Sequence, residues 1–390
     1  MDSFVGRSID VGAMQERHKK KIVFAVIVAV AVLLCVLLGF VIYHWFVNRE
    51  YSAYHVTRSV SVKNGNSLKY MSYEGGVIRY GRDGVTAVDG KGEPLWSASC
   101  DMVNPQIDVC GASAVMADIG GTSLYVYKGG DTGVDFSVDY PIVQAHVSEQ
   151  GVVAVLMEES ASNTIALYNP FDKSEKLLVE IPTNVEDGYP LSLDLSPDGT
   201  SLVASYLCVT TGAAQSRVAF YNFSEVGKNR NSMVGAQNYN DVLISEVRFL
   251  DGDTVCLFGE KGFHLWGNMK KPELIKKREF SQEIKSAFCD EDHVGVLVEK
   301  DNDNNMLKLY NKKGEESLSL SVDSVYSYGQ VKGNDLILNT ASQCAIYRTN
   351  GVQKFAGPLK SSISYIFAGS GMNRFILIQD SKIKYIKLGG

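Results

Sequence analysis

Two patterns of apolar and polar positions divide this chain. From residue 22 to 43 every position is apolar or glycine; beyond about residue 55, apolar residues alternate with polar ones in short runs broken by Gly, Asp, Asn and Ser. The first pattern predicts a helix, and at about 1.5 Å per residue it spans roughly 33 Å, enough to cross the hydrocarbon core of a bilayer. It has no polar face, unlike a core helix, and it is longer than the apolar stretch of a cleaved signal peptide. Arg17-His18-Lys19-Lys20-Lys21 precedes it, and Tyr43, Trp45 and Phe46 close it. Cations resist translocation and aromatic rings settle at the interface, so the N-terminus is expected in the cytoplasm. The expected layout is a cytoplasmic tail (1–21), a transmembrane signal-anchor helix (22–46), a linker (47–55) and an extracellular domain (56–390), in a single-pass protein of the cell membrane.

The second pattern predicts strands of period two joined by tight turns. Residues 242–280 hold one unit: strands at 244–249, 254–259, 262–266 and 274–280 make a four-stranded antiparallel sheet. The third strand of such a unit ends on a recurring position, usually aromatic: Val88, Tyr127, Tyr168, Tyr221, Trp266, Tyr310, Tyr347 and finally Tyr385 or Ile386, spaced 39, 41, 53, 45, 44, 37 and about 39 residues. A four-stranded unit at a period near 40–45 predicts a β-propeller blade. Eight units fill residues 67–390, but the last supplies only three strands, and an open ring would leave an exposed edge. The alternating segment 56–62 belongs to no unit, so it is expected to close the ring as the outer strand of the last blade. The fold class is therefore all-β, an eight-bladed propeller after one transmembrane helix. Seven blades, or two sandwich domains, are the alternatives.

Composition changes this picture little, and charge narrows the partners. Gly is frequent (36), Pro scarce (9), and Tyr (20) and Phe (16) are plentiful, as suits sheet. The formal charge is −6; the segment before the apolar run carries five basic and three acidic residues, so the remainder holds 38 − 5 = 33 basic and 44 − 3 = 41 acidic residues, a net of −8. A nucleic-acid surface needs a basic stripe, so no nucleic-acid partner is expected.

Two segments carry family resemblance. Leu195-Ser196-Pro197-Asp198-Gly199-Thr200 resembles the Ser-Pro-Asp-Gly turn of WD-repeat propellers, and residues 84–96, ending Glu93-Pro94-Leu95-Trp96, resemble a docking repeat of quinoprotein-type propellers. Across the whole chain, a basic-flanked anchor followed by a degenerate propeller resembles an uncharacterised membrane-anchored family of Gram-positive bacteria, domain of unknown function 5711. The resemblance implies a fold and a location, and no activity.

Candidate chemistry is sparse. There is no phosphate-binding loop, no His-Glu-x-x-His and no Gly-x-Ser-x-Gly. The six histidines are scattered, and the quinoprotein resemblance lacks adjacent cysteines, so neither catalysis nor a cofactor is expected. Asp301-Asn302-Asp303-Asn304-Asn305 offers oxygen at alternate positions, but Met306 and Lys312 stand where a calcium loop needs Gly and Glu. A hairpin tip is the expected reading, with no metal. The seven cysteines show no zinc spacing; Cys100 with Cys110, or Cys208 with Cys256, are conceivable pairs, and no disulfide framework is readable. Asn222-Phe223-Ser224 matches a glycosylation acceptor weakly.

The expected function is a non-enzymatic protein-interaction or scaffolding module. Turns between first and second and between third and fourth strands are short, whereas the other propeller face collects insertions: 158–163, 211–216, 301–305 and the links 184–190 and 224–241. Partner binding is therefore expected on the face of blades 3, 4 and 6, through Tyr189, Tyr239, Asp301 and Asp303. The alternative is a small-ligand sensor or enzyme using the central channel, which inward Asp, His or Arg on the innermost strands would favour; 142–147, 192–195 and 284–289 are expected to carry few such groups.

Overall fold

Alternating β-branched and aromatic residues, cut by Gly and Asx turns, fold as the period of two dictates. The computed structural model describes residues 11–62, 67–130, 132–160, 162–174, 176–183, 187–210, 213–227, 231–240, 242–326, 328–379 and 381–389. Residues 1–10 of the tail, 184–186 of the third link and 211–212 at the tip of the longest hairpin lie outside them. Two units are distinguished, residues 1–50 and 51–390. The first is a helix, Val11–Val47, whose segment Ile22–Trp45 is long and apolar enough to cross a membrane and keeps its side chains exposed.

In the second unit, the described residues form eight sheets of four antiparallel strands, one per blade. Blades 1 to 7 use consecutive strands; blade 8 takes three from the C-terminal end and its outer strand, Ala53–Ser61, from the start of the unit. The ring closes as expected, three residues earlier than the sequence pattern indicated. Ala53 pairs with Gly389 and Ser61 with Lys382. Tyr51 adds a parallel bridge to Phe355, and the Tyr54 hydroxyl accepts from the Lys360 backbone N–H at 2.8 Å, so most of the expected linker is part of the ring.

No blade can bury both faces alone, and eight apolar cores fill the spaces between neighbouring blades. The position that marks the repeat has a structural cause. In blades 1, 3, 4, 5, 6 and 7 the pairing of third and fourth strands shifts register at that residue, from Val88 through Tyr347. A bulge there tilts a large side chain over the inter-blade core. Tyr127 stacks on Trp96 at 4.2 Å, Trp266 meets Phe220 at 5.0 Å, and Tyr310 meets Phe263 at 5.1 Å. In the Ser-Pro-Asp-Gly turn, Gly199 takes φ +70°, which a Cβ disfavours, while Asp198 accepts from the Thr200 N–H at 3.0 Å.

All seven cysteines are free thiols. Cys100 packs against the core between blades 1 and 2, Cys110 against that between blades 2 and 3, Cys208 against that between 3 and 4, and Cys256 lies in that between 5 and 6. Separate cores keep both conceivable pairs apart. Burial pushes Cys100 up to about 11 and Cys110 to about 12, so these thiols stay neutral. Asn222 is buried and donates to Ser201 Oγ at 3.0 Å, which leaves no room for a glycan.

Candidate functional site

The strand order puts the blade-to-blade links and the second-to-third turns on one face of the ring, here the link face. First-to-second and third-to-fourth turns make the opposite, turn face. Tyr189 opens the inner strand of blade 4 (Tyr189–Leu195) at the link face, its ring half exposed. Asp301 and Asp303 sit on the same face at the hairpin tip of blade 6, where Asp301 Oδ1 accepts from the Asp303 N–H at 3.0 Å and Asn304 Nδ2 at 2.9 Å. The Asn304 amide holds the Asp301 carboxyl below its ordinary value. Asp301 spends its Oδ1 on its own turn.

Tyr239 does not join them as an exposed loop aromatic. Residues 233–239 form the outer strand of blade 4, so 224–227 and 231–232 belong to the third-to-fourth turn on the turn face, and the link to blade 5 begins only after Tyr239; residues 228–230 and 241 lie outside the described residues. Tyr239 accepts from Trp266 Nε1 at 3.1 Å and packs edge-on to His264, and burial raises its hydroxyl to about 12. It is a packing residue. Asp251 and Lys312, on the turn face, are tied together at 3.0 Å, and Lys312 also reaches Asp292 at 3.4 Å. They join blades 5 and 6 rather than standing free.

The link face carries a feature that loop length alone did not reveal. Tyr140, Tyr189, Tyr328 and Tyr365 are exposed at the start of the inner strands of blades 3, 4, 7 and 8, around the channel mouth, with Val103 and Val209 farther out. Among the described residues, no tyrosine of the turn face is comparably exposed; its exposed apolar side chains are Val226, Met372 and aliphatic residues such as Leu95, Leu177 and Leu274 at the starts of outer strands. A flank cavity of about 560 Å³ between blades 3 and 4, over the paired hydroxyls of Tyr206 and Tyr221, adds to the same sector.

Inside the channel the structure corrects the expectation of few inward charges. The inner strands of blades 2 to 5 (Pro105–Cys110, Ile142–Val147, Tyr189–Leu195, Ile244–Phe249) present two tiers. Gln106, Gln144, Ser192 and Glu246 form one; Asp108, His146, Asp194 and Arg248 form the other. Counted strand by strand each contributes one or two such groups; the ring brings them together. Much of this polarity is architectural. The free edge of each inner strand leaves backbone groups unpaired, and the preceding blade answers them. Asp108 accepts from the Val147 N–H at 2.9 Å, Asp194 from Phe249 at 2.7 Å and Ser192 from Val247 at 3.1 Å, while Gln144 donates to the Leu191 carbonyl at 2.7 Å.

His146 Nδ1 lies 3.3 Å from Asp194 Oδ1 and 3.5 Å from Asp108 Oδ1, too loosely aligned to be a hydrogen bond. Burial lowers the imidazole, but the Asp108 charge, seconded by Asp194, outweighs it and the value rises. Burial likewise pushes Asp108 up, and His146 with the Val147 N–H brings it below the ordinary range; for Asp194 burial prevails and the carboxyl titrates higher. Among the described residues no hydroxyl or thiol bonds to His146 Nδ1. Among the described residues no three His, Cys, Asp or Glu side chains converge as metal ligands.

Residues 47–388 match DUF5711, described as a family of unknown function. No curated protein matches the sequence. Solved structures similar to the chain include a eukaryotic initiation factor (TM-score 0.51, 10% identity, covering 83% of this chain and 81% of that one). Others are Hsv2 of Kluyvelomyces marxianus (0.48, 11%, 73% and 93%) and the Pan2 WD40 domain of Neurospora crassa (0.43, 8%, 88% and 97%). At these identities the likeness reaches the fold alone.

Proposed function

The chain belongs to DUF5711, a family of unknown function, and on that premise we propose that it is a membrane-tethered, non-enzymatic docking module whose propeller lies outside the cell and binds a protein partner on its link face. The observation that carries this reading is the set of exposed tyrosines, Tyr140, Tyr189, Tyr328 and Tyr365, at the link-face starts of inner strands. Tyrosines with one apolar and one polar end are the residues found at interface centres. The chain joins the ring at Ala53, opposite Gly389 on the turn face, so the link face is clear of that junction. A scaffold role also fits a channel whose carboxylates are largely committed to neighbouring backbone.

Site-specific photo-crosslinking in the native membrane tests this. A photoreactive residue replacing Tyr189 or Tyr328 should give a discrete protein adduct identifiable by mass spectrometry. The same residue at Met372, on the turn face, should give none. Adducts from Met372 alone, or equal adducts from both faces, would overturn the assignment.

A further inference from the structure

We propose that the channel cavity between the inner strands of blades 2 to 5 is a binding site for a small zwitterion, a free amino acid, with the ligand carboxylate on Arg248 and its ammonium on Glu246. The cavity holds about 310 Å³ and is lined by Gln106, Asp108, Gln144, His146, Glu246 and Arg248 among others. That volume is at the small end of ligand pockets.

The polar groups of the channel divide into those spent on backbone and those left free. Gln144, Ser192, Asp108 and Asp194 each bond the backbone of the next blade. Glu246 and Arg248 stand at the corresponding places on blade 5 and make no such bond to blade 6. Arg248 Nε donates to Glu246 Oε1 at 2.8 Å, and among the described residues neither side chain has a further hydrogen bond. The two terminal nitrogens of Arg248 and the second oxygen of Glu246 are therefore left to the cavity, with side chains 40% and 48% exposed. A planar guanidinium with free terminal nitrogens matches a carboxylate bidentately, and a carboxylate oxygen matches an ammonium.

Charge selects the ligand class. An anion alone would meet Asp108, Asp194 and Glu246 around the guanidinium, and a cation alone would leave the terminal nitrogens of Arg248 without a partner. A molecule carrying both charges a few bonds apart meets each with its opposite. This inference stands apart from partner docking, since the groups lie within the channel and not on its rim.

Isothermal titration of the full-length chain in detergent micelles with each proteinogenic amino acid tests it. The tightest ligand is then compared with its N-acetyl and amide derivatives, which keep one charge each. Saturable binding of the zwitterion is expected, at least about tenfold tighter than either derivative, with a similar loss in R248Q and in E246Q. R58Q, on the outer strand of blade 8, should bind as the parent does. Absence of any binding at millimolar ligand, derivatives equal to the parent amino acid, or unchanged affinity in both R248Q and E246Q would each overturn the proposal. E246Q keeps the test decisive should R248Q fail to fold.

Discussion

His146 is the residue on which most of the channel electrostatics turn. Its imidazole is set between two carboxylates from the neighbouring blades, and its folded pKa lies above the ordinary value of about 6.5. A raised value means that its stabilising contribution is fully present below the unfolded pKa and is lost as pH rises through the folded pKa. Removing the ring leaves Asp108 and Asp194 facing each other without a cation between them, at a cost of about 1–3 kcal/mol. H146Q should therefore lower the melting temperature most below about pH 6.5, and the gap to the parent should narrow on the alkaline side. A gap that is flat or widens with pH would show that the ring acts by packing rather than by charge. Tyr239 teaches the complementary lesson. A tyrosine between two turns reads as an exposed anchor, yet its hydroxyl serves the Trp266 indole.

Among the elements, the strand Ala53–Ser61 joins the two ends of the ring. It pairs along its whole length with Lys382–Gly389 and gives blade 8 its fourth strand. Thr57 takes the bulge that other blades place beside their recurring aromatic, and its Oγ1 donates to the Tyr385 carbonyl at 3.0 Å. Without it, the third strand of blade 8 becomes a bare edge. A fragment beginning at residue 66 should be less stable than one beginning at Tyr51 by at least about 3 kcal/mol, measured by denaturant unfolding, and should self-associate. Equal unfolding midpoints and slopes for the two fragments would refute the closure argument.

For the whole molecule, the proposal places the propeller outside the cell. The apolar helix is preceded by Arg17, Lys19, Lys20 and Lys21 and followed by an acidic domain. Orientation follows the basic flank. Protease added to intact cells should degrade the propeller while leaving a protected fragment that contains the helix. Survival of the whole chain until the cells are lysed would place the propeller inside and remove the extracellular part of the proposal.

The sequence by itself determined the architecture, because its signals are local and repeated. A run of residues without a polar face specifies a membrane-length helix. Period-two alternation with Asx and Gly turns specifies strands, and a usually aromatic position recurring from Val88 through Tyr127, Tyr168, Tyr221, Trp266, Tyr310 and Tyr347 counts the blades. Even the closing strand was legible, since segment 56–62 alternated and had no unit of its own. What only the tertiary structure decided depends on residues far apart in the chain. Asp108, His146, Asp194 and Arg248 are separated by 38, 48 and 54 positions, and only ring closure makes them neighbours. Likewise, the face a turn occupies depends on which strand it follows, so one misplaced outer strand at Met233–Tyr239 moved 224–227 and 231–232 to the other side of the ring. Local periodicity fixes what each segment becomes, whereas the company a side chain keeps is set by the packing of whole blades.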